Sequence, residues 1–133
     1  KGQDITKDLS ELYKVKIDCK DVTVFLTTFT IYPYNDRECW YAISATASKD
    51  DLLLTNIHEL SHFYFHKRFD SKDRNISEED YFKIKESFTV LSLPNEEGYS
   101  GHEELRNHIK KEKEKGYEVG EIFESCLDVL KNN

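Results

Sequence analysis

"SKDDLLLTNIHELSHFYFHKRF", Ser48 to Phe69, runs without glycine or proline and carries both end signals of a helix. Ser48 with Asp51 three residues on makes a capping-box-like start, and Asp50 and Asp51 suit the positive N-terminus. Lys67 and Arg68 suit the negative C-terminus. A helix of about 20 residues spans about 30 Å, the width of a small domain. Leu53, Leu54, Ile57, Leu60, Phe63 and Phe65 give it a thick apolar coat. It is expected to be the central element of the fold, with the rest of the chain packed around it.

The middle of this helix reads "IHELSH", Ile57 to His62. Residues four apart share a helix face, so His58 and His62 can present two imidazoles to one metal ion. Glu59 lies about 100° around the helix from His58. There it is poorly placed as a ligand and well placed to reach a metal-bound water. Zinc brings the pKa of such a water towards neutrality, and a carboxylate can take its proton as it attacks a carbonyl. The spacing therefore has a mechanism behind it.

A catalytic zinc usually has three protein ligands and a water. His66 continues the i, i+4 series but lies about 12 Å along the axis from His58, too far for one ion to reach all three. Packing or a supporting hydrogen bond is the expected role of His66. The metzincin pattern would need glycine at position 65 and histidine at position 68, where this chain has Phe65 and Arg68. The better source is "SEEDYFKIKESFTVLSL", Ser77 to Leu93, a helix opened by Ser77 and Asp80 in a capping-box arrangement. On its wheel Glu86 falls among Phe82, Val90 and Leu93. An unpaired carboxylate is costly in an apolar sector. A metal ion or a buried ion pair resolves that conflict, and Glu86 is the expected third ligand. Cys39, as an upstream thiolate, and His102 are the alternatives.

Working outward, "DITKDLSELYKVK" places Ile5, Leu9, Leu12 and Tyr13 on one helical stripe. "DVTVFLTTFTIYPY", Asp21 to Tyr34, is dense in β-branched and aromatic residues and reads as a strand. After the turn residues Asn35–Glu38, "CWYAISATA", Cys39 to Ala47, reads as a second strand antiparallel to the first. Helices finish the chain. Strands followed by helices favour an α+β fold, with one domain over residues 1–133. Ser100 with Glu103 predicts the start of a later helix beyond a loop that holds Tyr99, and Arg106 and His108 read as surface positions.

The 133 residues are enough for a real core, and 38% apolar with 13% aromatic is globular composition. A formal net charge of −7 repels phosphate backbones, so nucleic acid is not an expected partner. The lysines of "IKKEKEKG", Ile109 to Gly116, alternate with glutamates and read as a solvated helix face. No apolar run reaches the length of a membrane span. Cys19, Cys39 and Cys126 are widely spaced and odd in number, which reads as reduced thiols in an intracellular, cytoplasmic protein. No signal peptide is visible, and an opening on Lys1 in a chain without methionine fits a trimmed start.

His58-Glu59-x-x-His62 followed 24 residues later by Glu86 on a second helix resembles the gluzincins, metallopeptidases of the zincin type. The resemblance implies His58, His62 and Glu86 as zinc ligands and Glu59 as general base. It implies a compact zincin-like fold, with a small antiparallel or mixed sheet before the active-site helix and two to three further helices after it. It also implies an edge strand that pairs with extended substrate, for which Tyr41–Ala47 is the candidate. "NIHELSHFYFH" is similar as well to ImmA/IrrE-type domains, although "ESFTVLSLP" matches their continuation only loosely. Zincins commonly place a tyrosine or histidine across the zinc to stabilise the oxyanion, and Tyr99 and His102 are the candidates here. The expected function is zinc-dependent hydrolysis of peptide or protein substrates. The small size suggests short or flexible substrates, or a partner protein that completes the cleft. The rival is a zinc-binding regulatory domain with little turnover, and the intact Glu59 argues against it.

Overall fold

The computed structural model describes residues 4–28, 33–70, 74–93 and 101–132. In chain order these form α1 (Ile5–Tyr13), β1 (Thr23–Thr27), β2 (Tyr34–Asn35), β3 (Trp40–Ser44), α2 (Lys49–Arg68), α3 (Glu78–Phe88), α4 (Glu103–Glu114) and α5 (Val119–Lys131). A 3-10 turn, Thr89–Leu91, extends α3. The fold is α+β, with a small mixed sheet. No helix among the described residues is long and apolar enough to cross a membrane.

Local chemistry sets the helix ends. The Asp4 carboxylate accepts from Lys7 N at 3.1 Å to start α1. Ser48 Oγ accepts from Asp51 N at 3.2 Å and donates to Asp51 Oδ2 at 2.8 Å. Ser77 Oγ accepts from Asp80 N at 3.1 Å. Each hydroxyl or carboxylate satisfies an amide that the helix itself leaves unpaired. The later helix departs from expectation. It begins at Glu103, with His102 in its cap position at φ 53° and no side-chain cap bond. Ser100 lies outside the described residues.

The sheet departs further. The strand expected over Asp21–Tyr34 is two strands, β1 and β2, on opposite sides of β3 in the order β1-β3-β2. β1 runs parallel to β3, from Thr23 opposite Trp40 to Thr27 opposite Ser44, which corrects the antiparallel pairing expected for it. Only β2 is antiparallel to β3. The turn between them is built by Asn35, whose Oδ1 accepts from Arg37 N at 3.1 Å and Glu38 N at 2.9 Å. Consequently β3 is the middle strand, paired to β1 along Trp40–Ser44 and to β2 at Trp40 and Tyr41, so the start of the expected substrate-pairing segment Tyr41–Ala47 is already paired on both sides. Tyr41, Ala42 and Ile43 are all buried, and a continuous apolar run suits a strand whose two faces are covered.

α2 separates two apolar regions. Against its helical side, Tyr64, Phe65 and the following Phe69 join Leu9, Tyr13, Ile84, Phe88, Ile109 and Phe123 in the main core. Phe65 has ring neighbours on four elements or their ends, with Tyr81 at 5.3 Å, Phe88 at 5.1 Å and Phe123 at 5.9 Å between centroids. Against the sheet side, Phe63 packs with Tyr41 and Ile43 in a smaller cluster. The apolar coat is uneven, because Leu53 and Leu54 near the start of α2 are 53% and 46% exposed.

Two further expectations are corrected. Cys19 and Cys39 form a disulfide, with Cα atoms 5.7 Å apart, so only Cys126 is a free thiol, and it is buried. The residues lie 20 apart in sequence and meet because the parallel register brings the entry to β1 beside the entry to β3. Cys39 therefore offers no thiolate to a metal. Arg106 is buried and not on the surface, with Nη1 donating to Thr89 Oγ1 at 3.3 Å. His108 is half-buried, and its Nε2 sits 2.9 Å from Ser125 Oγ.

Candidate metal centre

α2 and α3 pack antiparallel. His66 meets Tyr81 near the start of α3, and His62, one turn back along α2, meets Glu86 near the end of α3. This pairing brings together residues 15 to 28 apart in sequence, from His66 with Tyr81 to His58 with Glu86. His62 Nε2 lies 3.0 Å from Glu86 Oε2, and His58 Nε2 lies 3.6 Å from Glu86 Oε1. The imidazoles of His58 and His62 stand edge to face, with centroids 4.6 Å apart. Ligand atoms of His58, Glu59 and His62 all fall within 4.8 Å of one another, so this group could hold a metal ion.

The donor set fits such an ion. At zinc–ligand bonds of about 2.1 Å in a tetrahedron, neighbouring ligand atoms stand about 3.3 Å apart. The two Glu86–histidine distances, 3.0 and 3.6 Å, bracket that separation. Two polar atoms inside the cluster, Glu59 Oε2 and His62 Nδ1, are buried without a hydrogen-bond partner. Orphaned buried polar atoms are costly, and a metal-bound water beside Glu59 is one way to satisfy its carboxylate.

Burial and charge act differently on the members. Burial pulls His62 down to about 4, so its imidazole is neutral, as a metal ligand must be. Burial raises Glu86, but hydrogen bonds from His58 and His62 and the charge of Lys85 outweigh it, holding the carboxyl well below its ordinary range. For Glu59 the balance falls the other way. Burial pushes it up to about 7, with His58 and Lys85 opposing the rise and Glu86 adding to it.

Several residues around the cluster were not singled out from the sequence. Lys85 is buried, with Nζ 2.6 Å from Tyr34 Oη and 3.6 Å from Glu86 Oε2. The Tyr34 hydroxyl also meets His66 Nε2 at 2.8 Å, and His66 Nδ1 meets Tyr81 Oη at 3.0 Å. His66 is thus occupied by two tyrosines, which agrees with its exclusion from the ligand set. Thr89 Oγ1 donates to the Glu86 carbonyl at 2.7 Å while accepting from Arg106, bracing the end of α3 from α4. Tyr41 donates to Asn56 Oδ1 and ties β3 to α2. A signal for Lys85 existed, since it shares a stripe with Tyr81 and Phe88 at i, i+4, i+7 spacing. Of the residues expected around Glu86, Val90 and Leu93 are buried, whereas Phe82 is 51% exposed.

Of the two oxyanion candidates, His102 caps α4 in a left-handed conformation and does not join the metal-holding group. Tyr99 lies outside the described residues. No family model, curated protein or solved structure matches this chain.

Proposed function

We propose that this protein is a zinc-dependent hydrolase of peptide bonds with a zincin-like site. The single observation that carries the reading is the convergence of Glu86 from α3 on His58 and His62 of α2, within 3.6 Å, beside the buried carboxylate of Glu59. Zinc held there would polarise a carbonyl and lower the pKa of its bound water. His58, His62 and Glu86 hold the ion. Glu59, adjacent to the ligands but not needed as one, takes the proton of the attacking water and returns it to the leaving amine. A carboxylate with one oxygen, Oε2, buried without a hydrogen-bond partner is a poor stabiliser of the fold, and that supports a chemical role for it.

Substrates are peptides or flexible protein segments. Trp40 and Tyr41 of β3 are paired on both sides, so extended substrate would lie along an outer strand or along the α2–α3 seam. The Cys19–Cys39 disulfide weighs against the cytoplasmic location expected from the sequence, since oxidising compartments preserve such cross-links.

The test is metal content by elemental mass spectrometry together with cleavage of a quenched-fluorescent peptide library. Wild type should carry close to one zinc and cleave. Glu59→Gln should keep the metal and lose activity by about 10²-fold or more, the usual worth of a positioned general base. Glu86→Gln should lose most of the metal. A wild type that takes up no zinc even on reconstitution would sink the reading. Zinc retention with equal, negligible cleavage in wild type and Glu59→Gln would favour a binding domain of the same architecture.

A further inference from the structure

We infer that Lys85 is a positioning residue that restricts Glu86 to one-oxygen ligation, and that Tyr34 holds Lys85 in place for this; the inference rests on the metal-site reading above. Glu86 presents both carboxylate oxygens to the histidines, Oε1 towards His58 Nε2 and Oε2 towards His62 Nε2. A carboxylate so placed can chelate an ion with both oxygens and occupy two coordination positions. A catalytic centre needs one of those positions open for water or substrate.

Lys85 breaks the symmetry of that carboxylate. Its Nζ lies 3.6 Å from Oε2, so one oxygen carries a cation. The ammonium draws electron density from Oε2 and leaves Oε1 as the better donor to the ion. Lys85 is also fixed where it stands. Nζ donates to Tyr34 Oη at 2.6 Å and lies 5.0 Å from the Tyr34 ring centroid and 4.8 Å from that of Phe82. A lysine confined by a hydroxyl and two ring faces has lost the freedom of its long stem.

Tyr34 in turn cannot swing away. Its hydroxyl accepts from Lys85 and also meets His66 Nε2 at 2.8 Å, while His66 Nδ1 meets Tyr81 Oη at 3.0 Å. His66 thus ties the Tyr34 hydroxyl to Tyr81 on α3. The Tyr34 ring packs against His62, with centroids 5.3 Å apart. A lysine present only to neutralise Glu86 would need none of this arrangement, since an exposed ammonium at the cluster's rim would serve.

Cobalt(II) substitution tests the inference without reference to turnover, because coordination geometry governs the intensity of its visible absorption. Wild type, Lys85→Met and Tyr34→Phe are loaded with cobalt, and circular dichroism checks that each is folded. Wild type should bind one cobalt with the intense band of a four-coordinate ion. Lys85→Met should still bind cobalt, but with its band reduced to about half or less as Glu86 chelates and the coordination number rises. Tyr34→Phe should show a smaller loss. A folded, cobalt-loaded Lys85→Met with the wild-type spectrum overturns the inference. If Lys85→Met does not fold, Tyr34→Phe decides alone, and an unchanged band overturns it. A wild type that takes up no cobalt removes the metal centre itself, and the inference with it.

Discussion

α2 has two neighbours of very different strength. On one side lie four helices that bury Phe65, Phe69, Phe88 and Phe123 almost completely, with the rings of Phe69 and Phe123 stacked at 4.4 Å. On the other lies a sheet of three short strands, whose outer strand β1 leaves Val24, Phe25 and Leu26 exposed. A sheet this small is marginal by itself. The helical region is held by apolar burial; the sheet region adds a covalent tether, Cys19–Cys39, across the entries to β1 and β3. The candidate metal centre follows the same division. Its histidines and both glutamates come from α2 and α3, while the sheet contributes the supporting contacts of Tyr34 and Tyr41.

The contrast can be broken most forcefully in the helical region. Phe65→Ala removes a fully buried ring and should cost about 4 kcal/mol. In urea denaturation the midpoint should fall for the whole chain, and hydrogen exchange should accelerate in every element. An effect below about 1 kcal/mol would mean that this core does not carry the fold.

A smaller and more local effect is expected from the sheet. Opening the 20-residue Cys19–Cys39 span by Cys→Ser replacement should cost about 3 kcal/mol. Exchange protection should fall in β1, β2 and β3 while α3, α4 and α5 keep theirs, and metal uptake should persist because the ligands sit on helices. Equal loss of protection in the helices would show that the two regions form a single cooperative unit.

The smallest change sharpens the comparison within α2 itself. Ser48→Ala should cost about 1 kcal/mol. Its first turns lead to the exposed Leu53 and Leu54, so fraying should stay there and leave His58 and His62 untouched. Loss of metal affinity in this variant would place the cluster within reach of the fraying end.

What could be read from the chain was what depends on near neighbours in sequence. Ser48 and Ser77 announced their helices because a capping hydroxyl acts within three residues, and the pairing of His58 with His62 follows from helix pitch alone. Glu86 was legible because a carboxylate in a helix's apolar sector needs a partner. Lys85 beside it was not legible in the same way, because a lysine on a helix surface ordinarily keeps its ammonium in water. In the structure the buried face turns towards Tyr81, Ile84 and Phe88, and Phe82 points outward.

By itself, then, the sequence determined α1, α2 and α3, the placing of the strands ahead of α2 and the facing imidazoles, since each rests on spacing within a turn or two. Tertiary structure alone decided the parallel pairing of β1 with β3, the Cys19–Cys39 bond, the burial of Arg106 against Thr89 and the contact of Lys85 with both Tyr34 and Glu86. Apart from the neighbouring Lys85 and Glu86, those depend on which segments meet across 17 to 51 positions of chain. Such meetings are selected by how the whole chain shares out a limited amount of apolar surface, and no local pattern records them.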